Sequence, residues 1–358
     1  MTEHSNMTRN RARKPKWPRR FLILVMLLLL LGGVGYANRA SLRGVYDQLS
    51  GVEFSGAAGE TVSFTINSGD TGTLVAKHLV SKGVTKNFSS TLRHIIAADP
   101  TFFPGTYKLP SHISSDEAIK YLTDPKYQAL SKVTIPEGLR LVDIYKRLST
   151  ATEIPISKFE AAGRNLKNFG LPRTAPSLEG YLFPATYSFD PELSATEILS
   201  TMVSRMKDEL VSFGIAKKDW QRTLTLASVI QREARLHDDF YKVSRVFQNR
   251  LKINMPLQSC ATASYGVGEF SIIVTNRILN DDNPYNTYKY TGLPRGPISA
   301  PGSLAIDAAL HPADGTWLYF VTWNLKTGET VFSNTYAEHL VGVAKWDKWM
   351  AENPGWNG

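Results

Sequence analysis

The chain has 358 residues, 42% of them hydrophobic and 20% charged, with a formal net charge of +9 and one cysteine. A net six of those nine charges lies in the first twenty residues, where Arg9, Arg11, Arg13, Lys14, Lys16, Arg19 and Arg20 face a single acid, Glu3. The remainder has the ordinary balance of a soluble domain, which argues against nucleic acid as a partner, and a lone Cys260 excludes an internal disulfide.

Residues 1–20 read as a cytoplasmic basic arm and residues 21–37 (FLILVMLLLLLGGVGYA) as a transmembrane anchor. The run is uncharged and at the short end of what spans a bilayer, and basic flanks stay on the cytoplasmic side. The chain is therefore expected to be a single-pass protein of the cytoplasmic membrane with its working part outside. A cleaved secretory signal ending near Gly35-Tyr36-Ala37 is the other reading, and it also exports that part. Residues 38–60 are small, polar and aperiodic, as a linker would be.

Residues 61–130 read as a small α+β module. Phe64-Thr65-Ile66-Asn67-Ser68-Gly69 leads into a helical pattern with Leu74, Val75, His78 and Leu79. Sixty-nine residues later, Val133-Thr134-Ile135-Pro136-Glu137-Gly138 leads into Leu141, Ile144, Tyr145 and Leu148. Both copies read as strand, glycine turn and amphipathic helix, either as a true repeat or as two ordinary units sharing a pattern. Residues 103–109 form a turn and a further strand. The second unit, 131–171, leads into a mixed α+β domain over 172–350 that opens at the proline-bounded loop Pro172–Pro176. Ser194-Ala195-Thr196-Glu197 is a capping box, helices follow over about 221–235 and 238–253, and 254–302 is loop-rich. A hairpin, 317–323 with 330–333, and a terminal helix close the chain.

The carboxylate of Glu233 stands out. Ile230, Val229 and Leu226 lie three, four and seven residues before it, on one helical face, so Glu233 extends an apolar stripe. Removal from water favours the neutral acid, which suits a proton donor. Periodicity equally allows a stripe-edge carboxylate turned to water or paired with an arginine. Elsewhere, His237-Asp238-Asp239 cannot converge on one ion, no ligand spacing points to a metal, and neither a phosphate loop nor a nucleophile elbow is present. No cofactor is expected. Tyr285, Asn286 and Tyr288 offer rings and an amide in a loop, a combination suited to sugars or simply to loop packing.

In the order Leu178-Glu179-Gly180-Tyr181-Leu182-Phe183-Pro184-Ala185-Thr186-Tyr187, Leu226 to Ala234, Val246 to Leu251 with Met255 to Ser259, Pro284 to Tyr288, and Gly292 to Ile298 with Pro301 to Pro312, the chain resembles the endolytic murein transglycosylases, the MltG/YceG-like family. The resemblance implies an α+β fold with a membrane anchor and a LysM-like module ahead of the catalytic domain. It implies a lyase that cuts the β-1,4 bond between N-acetylmuramic acid and N-acetylglucosamine of nascent peptidoglycan, leaves 1,6-anhydro ends and so terminates strands. Glu233 falls on the family's catalytic glutamate; Glu179, Tyr181, Gln258, Tyr285, Asn286 and Tyr288 are candidates for substrate binding. Peptidoglycan synthases are candidate partners. Many members read Gln-Ser/Thr-Asp-Pro-Thr where this chain has Gln258-Ser259-Cys260-Ala261-Thr262, so no carboxylate acts at position 260. A muramidase-type hydrolase using Glu179 or Asp239 beside Glu233, and a non-catalytic wall-binding scaffold, are the alternatives.

Overall fold

The structure is a computed structural model that describes Leu24, Met26 and residues 51–269, 275–354 and 356. The expected arm and linker, and the expected anchor apart from Leu24 and Met26, lie outside the described residues. Among those described, no helix is long and apolar enough to cross a membrane. The described residues are α+β, with many helices and three two-stranded antiparallel sheets. It divides once, after Ala129, into two units.

In the first unit, β1 (Thr61–Ile66) pairs antiparallel with β2 (Gly105–Pro110), and α1 (Gly72–Ser81) and α2 (Phe88–Ala98) lie between them in sequence. Alternation in β1 buries Phe64 and Ile66 against Val75 and Leu79 of α1, Ile95 of α2, and Tyr107 and Leu109 of β2. Side chains start each helix: Thr71 caps α1, Asn87 caps α2, and a capping box of Ser114 and Glu117 opens α3 (Ser115–Thr123).

The second unit, from Leu130, opens on the same plan. Strand β3 (Ser131–Thr134) is followed by α4 (Leu141–Thr152) and α5 (Ile156–Arg164) and pairs antiparallel with β4 (Thr186–Phe189). The likeness reaches further than the sequence reading placed it. Thr65 faces Thr106 across one ladder with hydroxyls 3.1 Å apart, and Thr134 faces Thr186 across the other at 2.9 Å. The returning strands carry Phe103-Pro104-Gly105-Thr106-Tyr107 and Phe183-Pro184-Ala185-Thr186-Tyr187. In each, the tyrosine hydroxyl donates to the carbonyl of its own phenylalanine, at 2.8 Å for Tyr107 and 2.7 Å for Tyr187. Shared residues, register and hydrogen bonds make these two copies of one βααβ unit. Because β3 pairs with β4, the stretch 131–171 belongs to the same unit as the rest, and the chain does not divide at the expected boundary near 172.

Two apolar cores follow. One gathers β3, α4, α5, β4 and α6 (Ala195–Ser212), whose capping box of Ser194 and Glu197 is fully formed. The other surrounds α7 (Trp220–Glu233), α8 (His237–Lys252) and α11 (Ser303–Leu310). Two short helices, α9 (Cys260–Gly266) and α10 (Asn276–Asn280), lie in the stretch read as loop, capped by Ser259 and Thr275. The hairpin β5 (Tyr319–Thr322) and β6 (Thr330–Ser333) packs beneath α12 (Tyr336–Glu352). A Cβ on Gly342 would come within 2.7 Å of Val321, so the glycine lets this helix lie directly on the strand.

A similar close approach fixes the second βααβ copy. A Cβ on Gly163 would sit 2.0 Å from the Tyr145 hydroxyl. Gly163→Ala must push α4 and α5 apart, at a cost of about 1–3 kcal/mol. A thermal melt followed by circular dichroism should show the loss, and an unchanged midpoint would refute this packing account.

Candidate active site

Helix α7 ends at Glu233, because Ala234 turns to extended backbone. The apolar face behind it is formed as the periodicity required: Leu226 is 6% exposed, and Val229 and Ile230 are fully buried. Glu233 itself is half-buried and its carboxyl lines a cleft of about 430 Å³. A helix C-terminus repels a carboxylate, so the partners that hold this one come from elsewhere. They come from the start of α9: the Ser259 hydroxyl donates to Glu233 Oε1 at 2.5 Å, and the Ala261 N–H donates as well. Burial raises the Glu233 pKa, while Ser259, Ala261 and the neighbouring Arg232 charge hold it down. The acid form is favoured yet the carboxylate is supported, which a group that gives and then takes a proton needs.

The turn beneath α9 is over-determined. Gln258 adopts φ +52°, an uncommon conformation for a side chain of this kind. Its N–H donates to the Thr287 carbonyl at 3.0 Å, and its Oε1 accepts from Arg250 Nη1 at 3.1 Å. Next to it, the Ser259 N–H donates to Thr287 Oγ1 at 3.1 Å, and Thr287 Oγ1 meets Thr262 Oγ1 at 2.7 Å. Gln258 and Tyr288 both line the cleft with Glu233, and the Tyr288 hydroxyl lies 3.0 Å from Cys260 Sγ.

Three other sequence candidates sit differently. Asn286 is fully buried; its Nδ2 donates to the carbonyls of Ile278, Leu279 and Asp281, and its Oδ1 accepts from the Tyr288 N–H. Both ends of the amide are engaged, tying the loop to α10 and to the Tyr288 N–H, and the side chain does not line the cleft. Tyr181 is fully buried too, and its hydroxyl donates to Gln221 Oε1 at 2.8 Å. Apolar packing around α7 claims that ring. The Tyr285 ring lies 4.8 Å from the Tyr265 ring, tilted at 57°, and does not line the cleft.

Glu179 also lies outside the cleft lining. At 3% exposure it receives the Leu141 N–H at 3.0 and 3.1 Å on its two oxygens and the Tyr265 hydroxyl at 3.0 Å. It thereby caps α4, whose own N-cap, Arg140, makes no side-chain cap bond. Burial pushes its pKa up to about 7, against the opposing pull of the Leu141 N–H, Tyr265 and Arg140. Asp239, at the start of α8, is buried towards Thr330 of the hairpin, and its raised pKa follows first from that burial. Among the described residues lining the cleft, Glu233 is the one carboxyl.

The structure adds residues that sequence reading passed over. Arg250 reaches the cleft from α8, and Tyr319, Tyr336 and His339 reach it from the hairpin and α12. Spaced far from Glu233 in sequence, they carry no local signal of their own.

The chain is similar in sequence and fold to known proteins. The model of the YceG-like family matches residues 64–345. An endolytic murein transglycosylase of Bacillus subtilis (strain 168) is 33% identical over 302 residues, which is 78% of this chain and 83% of that protein. One from Streptococcus pneumoniae (serotype 2, strain D39) is 27% identical over 91% of this chain, which spans 64% of that longer protein. The crystal structure of a YceG-like protein from Listeria monocytogenes superposes with a TM-score of 0.53 at 31% identity, over 79% of this chain and 99% of that one.

The Glu179 carboxyl makes stability depend on pH. With a folded pKa near 7 against 4.5 when free, the native state holds this proton more tightly. Its contribution is therefore full below about pH 4.5 and is lost as pH rises through about 7, some 3 kcal/mol in all. Glu179→Gln keeps an acceptor for Leu141 and removes the titration. Unfolding curves from pH 4.5 to 8 should show the wild type losing stability relative to this variant, and parallel pH profiles would contradict the assignment.

Proposed function

Because the chain belongs to the YceG-like family, we propose that it is an endolytic peptidoglycan lytic transglycosylase, a lyase acting on the glycan of the bacterial wall. The observation that carries this reading is a single desolvated carboxyl, Glu233, held by two donors and with no second carboxyl beside it in the described cleft. Hydrolysis with two carboxylates needs a nucleophile or a base flanking the same bond. Neither Glu179 nor Asp239 lines the cleft, so the hydrolase reading lacks its second group.

One group suffices when the sugar supplies its own nucleophile. Glu233 gives its proton to the leaving oxygen as the bond from the muramoyl anomeric carbon to that oxygen breaks. The C6 hydroxyl of the same muramoyl residue then bonds to the anomeric carbon and yields its proton to Glu233, which returns to its acid form. A 1,6-anhydro end results and no water is consumed. Ser259 and Ala261 support the carboxylate between the two transfers, so it need not be solvated by water.

Glu233→Gln should retain the fold and lose cleavage by roughly 10²–10⁴-fold or more, the usual worth of general acid–base catalysis. The measurement is mass analysis of products from isolated sacculi treated with the full-length chain. Reducing ends in place of anhydro ends would overturn the lyase reading, and an active Glu233→Gln variant would overturn the residue assignment.

We further propose that the first unit is a LysM-like module holding glycan; its βααβ order supports this. The basic arm and apolar run over 1–37 would tether the enzyme to the cytoplasmic membrane with the catalytic unit outside, near emerging strands and their synthases. Tethering raises local concentration at the membrane. Cells making a form released by a cleavable signal, at equal abundance, should therefore carry longer glycan strands; equal strand lengths would reduce the anchor to an export device.

A further inference from the structure

One wall of the cleft is built by the C-terminal hairpin and α12 and serves no step of the mechanism. Tyr319 lies 5.4 Å from the His339 ring at 24° and 5.8 Å from the Tyr336 ring. Tyr336 is 59% exposed, an open aromatic at the mouth of a polar cleft. Behind the rings, the Arg250 guanidinium sits 5.1 Å from the Tyr319 ring and is itself only 6% exposed.

Among the described residues, Arg250 is a buried cation with no carboxylate partner. Its Nε donates to the Leu318 carbonyl, and its Nη1 donates to the carbonyls of Pro256 and Leu257 and to Gln258 Oε1. Among the described residues its Nη2 has no acceptor and no carboxylate pairs with it. Guanidinium stays charged at any working pH. The Glu233 and His339 side chains of the cleft are both shifted towards their neutral forms. Burial and the Arg250 charge hold His339 below the usual histidine range, so its ring is neutral at neutral pH, and burial favours the acid form of Glu233. The wall therefore combines exposed ring faces with an unpaired positive charge and a free N–H donor.

We propose that Tyr319, Tyr336, His339 and Arg250 form a subsite for one N-acylated amino sugar of the glycan, its ring face on Tyr336 and its acyl oxygen towards Arg250. This assignment rests on the glycan-cleaving reading for its ligand class. Aromatic faces take the C–H side of a pyranose, and a carbonyl oxygen suits the free guanidinium donor. The same charge makes the subsite selective. A sugar whose amide has been removed carries an ammonium group, and bringing that beside an unpaired guanidinium is repulsive. N-deacetylated strands should thus be excluded at this position.

The test uses the full-length Glu233→Gln variant, which binds without cutting, and calorimetric titration at pH 6 with two ligands. These are the β-1,4-linked hexamer of N-acetylglucosamine and the hexamer of glucosamine. The acetylated hexamer should bind at least about tenfold more tightly, as one repulsive contact of ordinary size requires. Adding Tyr336→Ala, an exposed position that does not threaten the fold, should weaken the acetylated hexamer roughly tenfold with an unchanged melting temperature. Adding Arg250→Gln should narrow the gap between the two ligands. Should that last variant fail to fold, the ligand pair and Tyr336→Ala still decide. Equal affinity for both hexamers, or full affinity after Tyr336→Ala, would overturn the subsite. Products without anhydro ends, alongside intact discrimination in this titration, would instead remove the lyase reading and leave the subsite standing.

Discussion

The meeting of two helix ends around one carboxyl organises the catalytic unit. Glu233 closes α7, where the exposed carbonyls of the last turn disfavour negative charge. It points at the first residues of α9, where the Ser259 hydroxyl and the Ala261 N–H are donors. Alanine at position 261 leaves Glu233 an N–H that a proline there would lack. The carboxyl is thus placed between a helix end that opposes its charge and one that supports it, and its proton affinity follows from both.

Holding that junction requires the rest of the neighbourhood. Ser259 can aim at Glu233 only if the preceding turn stays in place, and Gln258 occupies a left-handed conformation that no local preference maintains. Arg250 grips the turn from α8, and Thr287 grips it from the loop through both its carbonyl and its hydroxyl. Thr287 is in turn held by its neighbour Asn286, whose amide ties the loop to α10 and the residues after it. The loop residues therefore reach the chemistry in relay: Asn286 fixes the loop, Thr287 fixes the turn, and Tyr288 faces the cleft.

This relay explains what the sequence could and could not disclose. The place of Glu233 at the end of a buried apolar face was legible because a helix has one period, and a carboxylate there breaks the pattern in view. Helices with caps were legible for the same local reason, as at Ser194 and Glu197. The roles within 283–288 were not, since an asparagine that hydrogen-bonds a sugar and one that hydrogen-bonds three carbonyls are the same letter in the same loop. Tyr181 misled similarly: it adjoins Glu179 in sequence, but packing sends its ring into the core around α7. Arg250, Tyr319, Tyr336 and His339 come together only when α8, the hairpin and α12 are folded against one another, and tertiary contact has no period to read. Short helices such as α9 vanish into a stretch dense in turn residues, although Ser259 with Thr262 three residues on was the available cap signal.

The two βααβ copies show how one local plan acquires two uses. Both keep the glycine turn, with φ +89° at Gly69 and +75° at Gly138, because a positive φ there is needed to swing the strand into the helix. Their surroundings differ. A Cβ on Gly69 would meet nothing within 4 Å, whereas Gly138 gives its N–H to the Ala300 carbonyl and takes Arg232 on its own carbonyl. Arg232 is the residue before Glu233, so the second copy braces the end of α7. Its α4 is meanwhile capped by Glu179 from the segment leading into β4. The second copy thus has its turn and its helix start closed by groups from the rest of its unit. Strand, turn and paired threonines are common to both copies because the ladder requires them, and the differences lie where the second copy packs against the rest of its unit.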